Sequence, residues 1–266
     1  MDARRRSWLL AAPALLLGCG GGGGDGPAPP APLQGTVQTI VVPARALGVD
    51  YAVRLYAPPA AAGPRAALPL WVVLDGENWL EAVARASEAA GTPVLVAAVN
   101  SASRRDLDFV PTNVCTSGGG GQAAYLAFLR GELLPAVQAQ FGGHTGRRVL
   151  WGHSHGGVFV LHALLADPGG TPAFDVHVAC DASLGCYFDA ATGWQEAYAA
   201  VAQRLPARLQ LSHASSGNVL SNLPWGDALA ARGFEGLVMR RQGYTGSHGG
   251  IVPQAVADAM AWLVGG

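Results

Sequence analysis

Charge is scarce in this chain. Only 13% of its 266 residues are charged, and 17 basic residues stand against 18 acidic ones. A chain so balanced has no basic face with which to neutralise phosphates, which excludes nucleic-acid binding. Cysteine is scarce too: no two of the 4 show the close paired spacing of a zinc site, so no metal and no other cofactor is expected. The apolar stretch Trp8 to Leu17 is too short to cross a bilayer as a helix. No internal repeat is visible. What is present is a chain that is 50% hydrophobic, with enough apolar material for a buried core and a length that suits one α/β domain.

The first nineteen residues read as an export signal, with Arg4, Arg5 and Arg6 ahead of that apolar stretch. Leu16-Leu17-Gly18-Cys19 resembles a bacterial lipobox. The resemblance implies cleavage before Cys19 and lipidation of its thiol; an ordinary secretory signal is the alternative. Arg5-Arg6-Ser7-Trp8-Leu9 also resembles a weak twin-arginine motif, so the export route stays open. Gly20 replaces the Asp that holds lipoproteins in the inner membrane, which implies anchoring to the cell envelope at the periplasmic face of the outer membrane. Residues 20–35, rich in Gly, Pro and Ala, cannot bury enough apolar surface to order themselves and are expected to be a tether. The folded domain is then 36–266. In an oxidising compartment, Cys115, Cys180 and Cys186 imply one disulfide and one free thiol, with the partners undetermined.

Thr36–Val42 and Tyr51–Tyr56 alternate like strands and are bounded by prolines, which predicts an antiparallel opening pair. Six near-continuous apolar runs follow: Leu70–Leu74, Val94–Val99, Arg148–Trp151, Phe174–Ala179, Leu209–Leu211 and Leu237–Arg240. Such runs suit strands buried on both faces. Helical patterns cover Trp79–Ala90, Gln122–Gln140, His155–Ala166, Gln195–Arg204, Asp227–Arg232 and Gln254–Leu263. Strand and helix in alternation predict about eight strands in a mostly parallel sheet with helices on both faces, the α/β-hydrolase fold. The cluster Gly118–Gly121 reads as a plain loop, since a phosphate cradle needs a preceding strand and a Lys.

The chemistry is concentrated in Gly152-His153-Ser154-His155-Gly156. This G-x-S-x-G lies between a predicted strand and a predicted helix, the setting in which Ser sits on a sharp turn with its hydroxyl projecting from the sheet. Ser154 is the candidate nucleophile, and the His155 amide, at the start of the helix, is an oxyanion donor. A Ser hydroxyl needs a base, and His248, in the loop after the last predicted strand, is the candidate; His213 is its rival. The second oxyanion donor is expected in Leu74-Asp75-Gly76-Glu77-Asn78, from Gly76 or Glu77.

Tyr51 to Pro58, Val72 to Asn78, Arg105-Asp106-Leu107, Phe128 to Pro135, the elbow, and Gly246-Ser247-His248-Gly249 occur in the order and spacing of the putative-esterase family. From about residue 36 onward the chain resembles this family, which includes ferric-enterobactin (siderophore) esterases and esterase D-like enzymes. The resemblance implies hydrolysis of a small-molecule ester, with Ser154, His248 and the amides of His155 and Gly76 in the family roles. It departs at one place. Many relatives carry an acid after the penultimate strand, whereas here Leu209-Gln210-Leu211 runs into Ser212 to Asn218 without a carboxylate. A Ser and His dyad, or Asn218 as a neutral partner for His248, is preferred to Asp181 reaching across from the preceding strand; Asp227 lies too far into its helix.

Arg104, Arg105 and Asp106 either bind an anionic substrate or pin their loop as internal ion pairs. Trp79, Trp194 and Trp225 are placed near the rim, with core packing as the plainer reading. Residues 100–121 and 181–194 are the loops expected to select substrate. Two other functions share these residues: an acyltransferase, and a non-catalytic surface lipoprotein that binds a ligand, the latter motivated by the missing carboxylate.

Overall fold

The computed structural model describes residues 31–264, apart from 60–63, 102, 113–114, 116–117 and 171. The chain divides into two units, Met1–Pro32 and Leu33–Gly266, and the architecture below belongs to the second. The export signal, Cys19 and residues 20–30 of the tether lie outside the described residues. Leu33 packs against the domain, and the amides of Gln34 and Gly35 donate to Glu88 Oε1 at 2.7 and 3.2 Å.

Strands β1 (Thr36–Ala44) and β2 (Val49–Ala57) pair antiparallel, as their alternation predicts. β3 (Leu70–Val73), α1 (Gly76–Ala90), β4 (Leu95–Val99), the short α2 (Arg105–Phe109), α3 (Gln122–Phe128) and α4 (Leu134–Gln140) follow. Then come β5 (Arg148–His153), α5 (His155–Leu165), β6 (Val176–Cys180), α6 (Phe188–Val201), β7 (Arg208–Ser216), α7 (Val219–Ala231), β8 (Val238–Ser247) and α8 (Val252–Val264). The sheet has 8 strands in the order β1-β2-β4-β3-β5-β6-β7-β8. β2 meets β4 antiparallel, and every pairing from β4 onward is parallel.

The two faces are separate apolar layers. Along β3, Leu70 and Val72 join the layer under α3 to α7, while Trp71 and Val73 join the layer under α1 and α8. β5 divides in the same way, with Leu150 on one side and Val149 and Trp151 on the other. This explains why these strands read as continuous apolar runs: both sides of the pleat are covered.

Several boundaries differ from the sequence reading. The helix expected over Gln122–Gln140 is interrupted by a π-helical turn at Leu129–Leu133. Pro135 has no N–H to give to the carbonyl four residues earlier, so the ladder is rearranged there. α7 begins at Val219 and contains Pro224, where the reading started the helix at Asp227; α6 begins at Phe188 rather than Gln195. β7 and β8 run on beyond their apolar cores as far as Ser216 and Ser247. Backbone pairing carries these polar residues, so apolar pattern did not mark them.

Candidate active site

The turn between β5 and α5 is built on close backbone approach. A Cβ on Gly152 would lie 2.3 Å from the carbonyl oxygen of Gly156, and one on Gly157 would lie 3.0 Å from the Cα of Ala182. Glycine at 152 therefore lets the helix fold back on its own strand. Ser154 sits at φ 61° and ψ −119°, a strained conformation for a side-chain-bearing residue. Its amide donates to the Cys180 carbonyl at 3.1 Å, and its carbonyl accepts from the amides of Val158 and Ser183, each at 3.1 Å. The Ser154 and Ser183 hydroxyls share a hydrogen bond of 3.0 Å.

His248 follows directly on the last residue of β8. Its Nδ1–H donates to Asp181 Oδ2 at 2.6 Å. Asp181 is fully buried and adopts φ 42° just past β6. Burial alone would raise its pKa, but the hydrogen bonds from His248 and from the amides of Ala214 and Asn218 outweigh that and hold it below the ordinary carboxylate range.

The preference for a dyad or for Asn218 over Asp181 is thus overturned. Asn218 Nδ2 lies 3.3 Å from His248 Nδ1 but also donates to the Asp181 carbonyl at 3.1 Å. Two N–H groups cannot bond one another, so the carboxylate is the acceptor for the imidazole. Asn218 supports that carboxylate through its own amide. Asp227 is paired with Arg241 instead.

His153, beside the nucleophile in sequence, is buried beneath His248. Its Nε2–H donates to the His248 carbonyl at 2.9 Å, and the two rings lie 4.3 Å apart by centroid. Burial, above all, pushes its pKa down to about 4, so it is a neutral support for the backbone that carries His248. His213 does not join the pair; its Nε2 lies against Gly243, 2.9 Å from where a Cβ would stand.

Opposite the elbow, Asp75 is buried at φ 51° and leads into α1. A Cβ on Gly76 would lie 2.4 Å from the carbonyl carbon of Ala98, so only glycine fits there. Arg105 Nε donates to both Asp75 oxygens, at 3.0 and 2.9 Å. Burial raises the Asp75 pKa even though the guanidinium opposes it. His155 Nδ1 bonds Asp106 Oδ1 at 3.0 Å, and Arg104 bonds Asp108. The charged run therefore pins its loop. Glu77 Oε2 accepts from the Ser101 amide at 3.2 Å.

The tryptophans prove to be packing. Trp225 is fully buried, Trp79 rests on Trp151 and His153, and Trp194 on His162. Cys115 and Cys186 form the disulfide, and Cys180 is the buried free thiol. That bridge, with His155, Ser183 and Asn218, lines a cavity of about 260 Å³ beside the elbow. Among the described residues, no cluster of three His, Cys, Asp or Glu side chains is placed to hold a metal ion.

The architecture recurs in solved structures. It superposes on an IroE-like serine hydrolase from Shewanella oneidensis with a TM-score of 0.73 at 22% identity, covering 86% of this chain and 80% of that one. The siderophore hydrolase EstB from Aspergillus nidulans gives 0.70 at 19% identity, covering 88% and 96%. In sequence, the siderophore triacetylfusarinine C esterase of Aspergillus fumigatus is 35% identical over 136 residues, 45% of this chain and 46% of that one. The chain thus matches less than half the length of that relative. The family model described as "Putative esterase" matches residues 44–227, a span that holds Ser154, Asp181 and the loop around Gly76 and stops before His248. With an α/β-hydrolase sheet, a strained serine at its elbow and that match over most of its length, the chain belongs to the putative-esterase family.

Proposed function

We propose that the chain hydrolyses carboxylic esters through an acyl-enzyme on Ser154, with His248 as general base and Asp181 as the acid that orients it. One observation carries the reading: the bond of 2.6 Å between His248 Nδ1 and Asp181 Oδ2, at the sheet edge where Ser154 occupies its strained turn. With Nδ1–H committed to the carboxylate, Nε2 is the free basic nitrogen. In this reading the Ser154 hydroxyl gives up its bond to Ser183, its proton passes to Nε2, and Oγ attacks the ester carbonyl. The amides of His155 and Gly76 each open a helix, α5 and α1, and the positive ends of those helices favour a developing oxyanion; the Glu77 amide is the neighbouring donor. His248 then gives its proton to the departing alcohol and repeats the cycle with water. Its side chain is 39% exposed, which favours water over a second alcohol as acceptor.

The names of the relatives suggest a siderophore ester as substrate. A fluorophosphonate probe should label wild type and fail on Ser154→Ala, and an ester panel should include cyclic siderophore lactones. A folded protein that takes no label and cleaves none of them ends the reading.

The envelope address is proposed on Leu16-Leu17-Gly18-Cys19 alone. Labelled palmitate should enter the full-length chain and not Cys19→Ser; equal incorporation in both rejects it.

A further inference from the structure

Two cavities lie side by side, the first of them lined by Ser183, whose hydroxyl bonds that of Ser154. The cavity of about 260 Å³ bordered by His155, Ser183 and the disulfide shares Gly185 and Asn218 with a second of about 460 Å³, whose wall includes Phe188, Leu220 and Pro224. Together they form one groove from the elbow along the first turns of α7. Among the described residues, no ionisable side chain lines the second cavity. Leu220 is 89% exposed and Leu223 40%; with Pro224 they stand at positions that share one helix face. Such an apolar stripe beside a polar site marks a contact surface. The charges nearest the elbow are already paired, His155 with Asp106 and Arg105 with Asp75, and the chain contains no lysine.

On the strength of the ester-hydrolase reading, we propose that this groove is the acyl subsite, taking an uncharged apolar arm of the substrate against Leu220 and Phe188 while the scissile carbonyl lies at Ser154. Continuity with the elbow selects this occupant over a second protein. Each methylene that finds apolar wall adds to kcat/KM, and an acetyl group is too short to reach the wall.

The probes are p-nitrophenyl acetate and p-nitrophenyl octanoate. In wild type, kcat/KM should favour octanoate by about tenfold or more. That ratio should fall about tenfold in Leu220→Asp and recover in Leu220→Met. A wild-type ratio near one, or equal losses on both esters in Leu220→Asp, overturns the proposal. Calorimetric binding of p-nitrophenyl octanoate to Ser154→Ala, with and without Leu220→Asp, reads the groove without turnover. Leu220-dependent binding without Ser154-dependent hydrolysis in wild type sinks the hydrolase reading and keeps the groove. Hydrolysis without chain-length preference sinks the groove alone. If Leu220→Asp splits a dimer on sedimentation while ester preference is unchanged, the stripe belongs to a second copy of the chain, and the proposal also fails.

Discussion

Asp181 and His248 meet at 2.6 Å although they leave strands that are not neighbours. β6 ends at Cys180 and β8 at Ser247, with β7 between them. The carboxylate crosses under the end of β7, accepting the Ala214 amide on the way at 3.1 Å. Asp181→Asn keeps the shape but loses the charge that favours the imidazolium. We expect kcat to fall about 10³- to 10⁴-fold with KM little changed. Asn218→Ala keeps the backbone N–H that supports the carboxylate and removes only the Nδ2 bond to the Asp181 carbonyl, so it should cost about tenfold or less. Steady-state kinetics on one ester checks both, and a reversed ranking would return Asn218 to the orienting role.

The elbow glycine answers to stability. Gly152→Ala places a methyl group 2.3 Å from the Gly156 carbonyl oxygen, which is backbone and cannot step aside. We expect a loss of about 3 kcal/mol or more, read from denaturant midpoints. Gly185, with no atom within 4 Å of a built Cβ, is the control, and Gly185→Ala should change stability by less than about 0.5 kcal/mol.

The disulfide closes 71 residues of sequence separation between Cys115 and Cys186. Replacing both by serine should cost about 2–4 kcal/mol, chiefly by freeing the unfolded chain. Because the bridge forms part of the cavity wall, KM should rise more than kcat falls. Unchanged denaturant midpoints in the double variant would contradict the first expectation.

Buried histidines contribute to the response to acid, three of them most strongly. Burial, above all, lowers the pKa of His153 and His162 to about 4 and of His177 to about 3. Their folded-state values lie below the unfolded value near 6.5, so the unfolded chain binds more protons in between. The stability they confer is complete above pH ~6.5 and drains away as pH falls toward about 4, by up to about 1.4 kcal/mol per pH unit for each. Unfolding titrations at pH 7, 6 and 5 should show this, and His177→Leu should flatten the slope by one such increment. A slope that His177→Leu leaves untouched would assign the acid sensitivity elsewhere.

Much of this was legible in the residues. The strands are apolar because both faces are covered, and the elbow is marked by glycines whose absent side chains the turn requires. His248 stands directly after the last strand, where the sequence placed it. Asp181 stayed in the background because a sequence states which residue ends a strand but not how far its side chain reaches sideways. Asn218 drew attention instead by occupying the expected place. Pro224 hid the first turns of α7, since proline inside a helix reads as its boundary. Cys115 found Cys186 through the packing of two loops, which spacing does not reveal.

Arg105 and Asp106 are chain neighbours, yet one grips Asp75 and the other His155. Each of those residues belongs to a different strand-to-helix junction, so α2 works as a spacer that sets the gap between the two helix starts. An insertion between these two side chains would loosen both junctions at once. Length changes in the neighbouring segment should therefore be tolerated only outside this dipeptide, and substrate preference can drift there without disturbing the gap.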